Sequence, residues 1–221
     1  MVDFQERDTS RGIDDSESDE DGADTDGAED AAGSEGAESA EETPGATIKP
    51  DDDDHDHHSH DVETVRAAVV TVSSTRTRED DAAGDAIADA LRDNGDEVTT
   101  REIIRDGYDN VQSAVDALVG REDVDIVVTT GGTGVTPDDV TVDAVEPLFE
   151  KELPGFGELF RRLSFEDIGT KVVGSRATAG IADGVPVFCL PGSEAAARLG
   201  TEEIITEQAG HLAGLAARDG E

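Results

Sequence analysis

The chain has 221 residues and carries 55 Asp and Glu against 17 Lys and Arg, a formal net charge of −38 at pH 7, with a single cysteine. So negative a chain argues against nucleic acid as partner, since it repels phosphate backbones. No run reaches the roughly 20 apolar residues that span a bilayer, the N-terminus lacks the basic flank and apolar core of a secretory signal, and one thiol makes neither an intrachain disulfide nor a multi-thiolate metal site, so a cytoplasmic location without membrane partner is expected.

Residues 1–61 hold 23 of the acids and only three bases, Arg7, Arg11 and Lys49. With almost no large apolar side chains, they cannot bury enough surface to offset the entropy of ordering. This predicts a disordered acidic tail followed by one domain over 62–221. Within the tail, His55, His57, His58 and His60 beside Asp51–Asp54 form a tract that can chelate divalent ions loosely, although a solvated linker is the simpler reading. The domain is acidic too, and the whole chain has only three lysines, Lys49, Lys151 and Lys171. Arginine in preference to lysine, an acidic surface and small apolar residues together look like adaptation to concentrated salt. There the Debye length falls to roughly 3 Å, so an anion must be held by short hydrogen bonds.

The apolar, β-branched run Val65–Val72 predicts a central strand covered on both faces. Asp80–Asn94 places Ala83, Ile87, Ala90 and Leu91 at helical spacing and stops at Asn94-Gly95. A strand over 97–104, a helix over 110–119 and a strand over 124–130 follow. Strands alternating with helices across short links predict a parallel sheet with right-handed crossovers. Beyond Gly134 the spacing predicts a helix over 142–150, a break at Leu153-Pro154-Gly155 and a helix to about Asp167. The stretch 172–184, rich in Gly, Ala, Ser and Thr, suggests no element. A strand over 186–190 holds Cys189, expected as buried core, and a last helix runs from Ala195 to Leu215.

The chemistry concentrates at strand ends. Thr129-Thr130-Gly131-Gly132-Thr133-Gly134 closes a predicted central strand, where loops of a parallel sheet diverge and ligands bind. Glycines let the backbone come close and turn N–H groups toward phosphate oxygens. Alone, such a cluster is as readily a turn. Leu190-Pro191-Gly192-Ser193 repeats the arrangement, with Ser193 a candidate N-cap. By itself it is a turn and a cap, but two glycine loops on successive strands open on one edge of the sheet. Ser175-Arg176 offers a guanidinium whose planar fork fits phosphate; an ion pair with a surface acid is the competing reading. Ser73, Thr75 and Arg76 end the first strand and are further candidates for the same crevice.

Four motifs in order, the run from Thr129 through Thr141, the stretch from Leu153 through Thr170, Ser175-Arg176-Ala177-Thr178-Ala179-Gly180 and Leu190-Pro191-Gly192-Ser193, resemble MoaB/MogA-type molybdenum cofactor biosynthesis proteins. The likeness spans about 65–215, and the part around Phe156–Thr170 is closer to the MoaB branch. The resemblance implies a three-layer α/β domain, a mostly parallel sheet flanked by helices, assembling as homotrimers or homohexamers and binding molybdopterin. Other proteins of molybdenum cofactor biosynthesis become possible partners. In active members the resemblance also implies transfer of AMP from ATP, with Mg²⁺, to the terminal phosphate of the pterin. Carried onto this chain, Gly131, Gly132, Thr133 and Gly134 hold the phosphate end, while Asp106 and Asp139 are the functional carboxylates, Asp139 also facing the metal. Asp138 is adjacent, and the motif register selects Asp139. Where the family often reads Asp-Val-Thr-Pro, this chain has Asp139-Val140-Thr141-Val142 and lacks the proline that opens a helix. A binding or scaffold protein of the same fold without transfer activity is the alternative, and a nucleotide-binding protein for another metabolite is a third possibility.

Overall fold

The structure, a computed structural model, describes residues 61–217. The expected tail, apart from Asp61, and its His/Asp tract lie outside the described residues.

Strands β1 (Arg66–Val72), β2 (Glu97–Ile104), β3 (Ile126–Thr130), β4 (Lys151–Glu152), β5 (Thr178–Ala182) and β6 (Val185–Leu190) form one sheet in the order β2-β1-β3-β6-β5-β4. β1, β2, β3 and β6 are mutually parallel, whereas β5 pairs antiparallel with both β6 and β4 and so completes one edge. Alternation along each strand divides the core between two faces. Ala67 and Val69 of β1, Ile126 and Val128 of β3 and Phe188 and Leu190 of β6 belong to one cluster. Ala68, Val70, Val127, Val187 and Cys189 belong to the other. Helices α1 (Ala82–Asp93), α4 (Pro154–Ile168), α5 (Glu194–Gly200) and α6 (Thr206–Ala216) contribute to the first face, α2 (Tyr108–Val119) and α3 (Thr141–Val145) to the second. The expected three layers result. Because β1 leads to its neighbour on one side and β2 leads past β1 to the other, crossovers of one hand put α1 and α2 on opposite faces.

Three expectations are corrected. The helix expected over 142–150 lasts only five residues: at Glu146–Leu148 the backbone tightens into a 3₁₀ turn, where Pro147 supplies no N–H, and the chain then enters β4. Leu153-Pro154-Gly155 does not break the chain but begins α4, with Pro154 in the first turn, where a missing N–H costs nothing. The unassigned stretch 172–184 contains β5, joined to β6 by Asp183 and Gly184, both at positive φ (49° and 73°), as a tight hairpin requires. Residues 194–216 form one continuous helical rod with a π-type segment at Thr201–Ile205, where the buried Thr201 hydroxyl donates to Ala197 O at 2.8 Å.

Candidate functional site

Because β1, β3 and β6 are parallel neighbours, their C-terminal ends meet on one edge, the place where an open sheet of this winding leaves a crevice. A cavity of about 490 Å³ lies there, between the turn after β3 and the turn after β6. A cavity of equal volume lies at the other end of the strands, where Arg66 is already paired, its Nη2 2.7 Å from Asp125.

The first turn has a backbone only glycine can supply. Gly131 and Gly132 sit at φ +100° and +67°, and a Cβ on either would stand 2.4 Å from Val72 O or from Thr141 Oγ1. Thr141 pins the turn from the far side, its hydroxyl donating to Gly131 O at 2.7 Å and its N–H to Gly132 O at 2.9 Å. The two turns touch: Gly131 N donates to Leu190 O at 3.0 Å, Thr130 Oγ1 donates to Pro191 O at 2.9 Å, and a Cβ on Gly192 would lie 3.1 Å from Gly131 Cα. Ser193 caps the following helix, accepting from Ala196 N at 3.3 Å.

Gly131, Gly132, Thr133, Gly134, Asp139, Ser175, Pro191, Gly192 and Ser193 all line this cavity. Asp139 is half-buried, whereas Asp138 is exposed and outside the lining. The Thr136 hydroxyl donates to Asp139 Oδ2 at 2.6 Å and Thr136 N at 2.8 Å. The Thr136 hydroxyl above all, then the backbone N–H groups of Thr136 and Gly134 and the charge of Arg176, hold this carboxyl below the usual carboxylate range, so it is ionised at neutral pH.

Two expected members stand apart. Arg176 does not line the cavity but clamps its loop from behind: Nε donates to Gly134 O at 2.7 Å, Nη2 to Asp139 O at 2.6 Å, and Nη1 reaches both oxygens of Asp143 at 3.0 and 3.1 Å. Its fork is therefore spent on backbone carbonyls that would otherwise splay the turn. Asp106, just past β2, lies on the same edge of the sheet but is not part of the cavity wall. Two strand spacings, about 10 Å, separate β2 from β3. One Asp106 oxygen is buried without a hydrogen-bond partner.

Of the three candidates at the end of β1, Arg76 reaches this wall while Ser73 and Thr75 do not, and α4 adds others that the sequence did not single out. Arg76 lines it and donates Nη2 to Gly192 O at 2.7 Å. Phe160, Ser164 and Ile168 of α4 and Lys171 of the following 3₁₀ turn close one side. The Leu153–Thr170 motif carried that signal, because α4 is the helix it encodes; Lys171, one of three lysines in the chain, falls just beyond it. Among the described residues no group of three or more His, Cys, Asp or Glu could hold a metal. A divalent ion here would thus rest on Asp139 and on oxygens brought by a ligand, as Mg²⁺ does in phosphate sites.

Residues 68–211 match the family model described as a probable molybdopterin binding domain. The molybdenum cofactor biosynthesis protein B of Bacillus cereus is 46% identical over 149 residues, covering 67% of this chain and 88% of that protein. A crystal structure of a molybdenum cofactor biosynthesis protein B superposes with a TM-score of 0.69 at 44% identity, covering 71% of this chain and 98% of that one. The tungsten cofactor synthesizing protein MoaB from Pyrococcus furiosus gives 0.63 at 38% identity, covering 71% and 99%.

Proposed function

The chain belongs to the molybdopterin-binding domain family, on its MoaB-type branch, and from that membership we propose that it binds molybdopterin by the phosphate and transfers AMP from ATP to it in molybdenum cofactor biosynthesis. What carries the proposal is the contact between two glycine turns around one cavity, with the ionised Asp139 on its wall.

An ionised phosphate is already a nucleophile and needs no strong base, so the protein's part is positioning and charge. A pterin phosphate oxygen would form a bond to the α-phosphorus of ATP while the bond from that phosphorus to the bridging oxygen breaks, its electron pair leaving with pyrophosphate. Backbone N–H groups of the 131–134 turn would hold phosphate oxygens, each charge-assisted hydrogen bond contributing about 1.5–3 kcal/mol. Arg76 and Lys171 would offset negative charge from either side. Asp139 would hold Mg²⁺, which would supply further neutralisation of phosphate charge. Arg176 would act through the loop, keeping the Gly134 and Asp139 carbonyls turned away from the ligand. Asp106 would join only if a ligand or a neighbouring copy bridged from β2, and its unmet oxygen is a group such a ligand could satisfy.

Incubating the protein with molybdopterin and Mg-ATP in molar potassium chloride should yield adenylylated pterin and pyrophosphate. Asp139→Asn should abolish product while the circular-dichroism spectrum stays that of the parent fold. Pterin binding without product would leave a binding protein of the same fold; undiminished product from Asp139→Asn would remove that residue from the mechanism.

A further inference from the structure

A third cavity of about 490 Å³ sits over the ends of β1 and β2 and shares Arg76 with the glycine site. Every charged residue on its wall is an arginine: Arg76, Arg78, Arg101 and Arg105. In a chain with 55 acids and 17 bases, four bases gather around a space whose wall holds no carboxylate.

Two of the four are built in. Arg101 has a side chain only 10% exposed. Its Nη2 donates to Asp81 Oδ2 at 2.8 Å, its Nη1 reaches Asp85, and its Nε has no acceptor. Asp81 is wholly buried and fixed by the Thr71 hydroxyl at 2.8 Å and by Gly84 N at 3.1 Å, so Arg101 is anchored rather than solvated. Arg76 Nη1 lies 3.9 Å from the same carboxylate. The Ser73 hydroxyl accepts from Thr75 N and Arg76 N at 3.3 and 3.2 Å, which folds this short segment into a turn at the mouth. The other two are uncompensated. Arg78 donates only to Arg101 O at 3.4 Å, and among the described residues neither Arg78 nor Arg105 has a carboxylate within 4.0 Å. On a surface so rich in acids, unpaired arginines beside an unmet donor mark a place kept for an anion that arrives from solution.

We infer that this arginine-walled annex seats a polyphosphate, the β,γ end of a nucleoside triphosphate whose α-phosphate reaches the glycine turns past Arg76. The assignment of the nucleotide rests on the transfer reading above; the binding of a polyphosphate does not. Several short guanidinium contacts keep their hold in concentrated salt, where diffuse attraction is screened within a few ångströms.

The test uses the full chain in molar potassium chloride, titrated calorimetrically with inorganic tripolyphosphate and separately with sulfate. The parent should bind tripolyphosphate in preference to sulfate. The double variant Arg78→Ala/Arg105→Ala, whose changes are at the surface, should lose at least tenfold in affinity, keep its melting temperature and still bind molybdopterin. Arg78→Lys/Arg105→Lys should recover part of the loss. Equal affinity in parent and double variant, or equal binding of sulfate, overturns the annex. If the parent makes no adenylylated pterin yet binds tripolyphosphate through these arginines, the transfer reading falls and the annex stands. If transfer proceeds with an unaltered KM for ATP in the double variant, the annex falls and the transfer reading stands.

Discussion

Among individual residues, Gly131 is constrained twice, by contact and by backbone conformation. A β-carbon there meets a backbone carbonyl at 2.4 Å, and its φ of +100° lies where side chains are strained. Gly131→Ala should therefore cost about 1–3 kcal/mol from strain alone, with more if Val72 must move, and urea unfolding would show it as a lower midpoint. No change in midpoint would mean the turn yields freely and does not preset the cavity. Asp139 poses a different constraint. A carboxyl whose folded pKa is depressed contributes stability above its unfolded pKa and loses it as pH falls through the folded value. Thr136 and its neighbours depress Asp139, so its contribution should be full at neutral pH and disappear only in acid, below about pH 4. Cys189 is the opposite case: burial pushes its thiol up to about 12, which keeps it protonated and inert as expected of core.

Between elements, the loop 131–139 depends on a strand-end neighbour far away in sequence. Arg176 gives three donors to two carbonyls and one carboxylate, an arrangement a lysine ammonium cannot copy from one point. Arg176→Lys should loosen the loop at a cost of about 1–2 kcal/mol, because the side chain is 34% exposed and solvent screens the Asp143 pair. Pterin affinity should fall further than stability does; parallel losses, or no loss of affinity, would show that the clamp does not shape the site. The antiparallel corner is held by packing of the same long range. In β5, Gly180 leaves room for the Phe149 ring, which a Cβ would meet at 2.4 Å, so small residues there serve packing between β4 and β5 rather than flexibility.

For the molecule as a whole, charge sets the conditions. A net charge of −38 destabilises the compact state by self-repulsion, and screening relieves it. The melting temperature should rise steadily as potassium chloride is raised from millimolar to molar; a flat profile would contradict salt adaptation. Light scattering in the same buffer should give three or six times the chain mass of 23.1 kDa, as the resemblance implies.

Residue pattern alone specified the parallel half of the sheet, because uninterrupted apolar strands and periodic helices encode it locally. The glycine turns were legible as loops at strand ends, whereas Asp139 was singled out by the family resemblance and not by the pattern itself. Packing in three dimensions was needed to put Arg176 behind the loop, to separate Asp106 from the cavity, and to bring Arg76, Arg78, Arg101 and Arg105 together around another. The hairpin closed by Asp183-Gly184 went unread with the rest of 172–184, because the small residues of β5 lack strand periodicity and Gly180 acquires its role only from the Phe149 ring packed on it. The difference is one of range. Local pattern fixes which residues can form an element, whereas the partner of a long charged side chain depends on which strand ends the topology brings together.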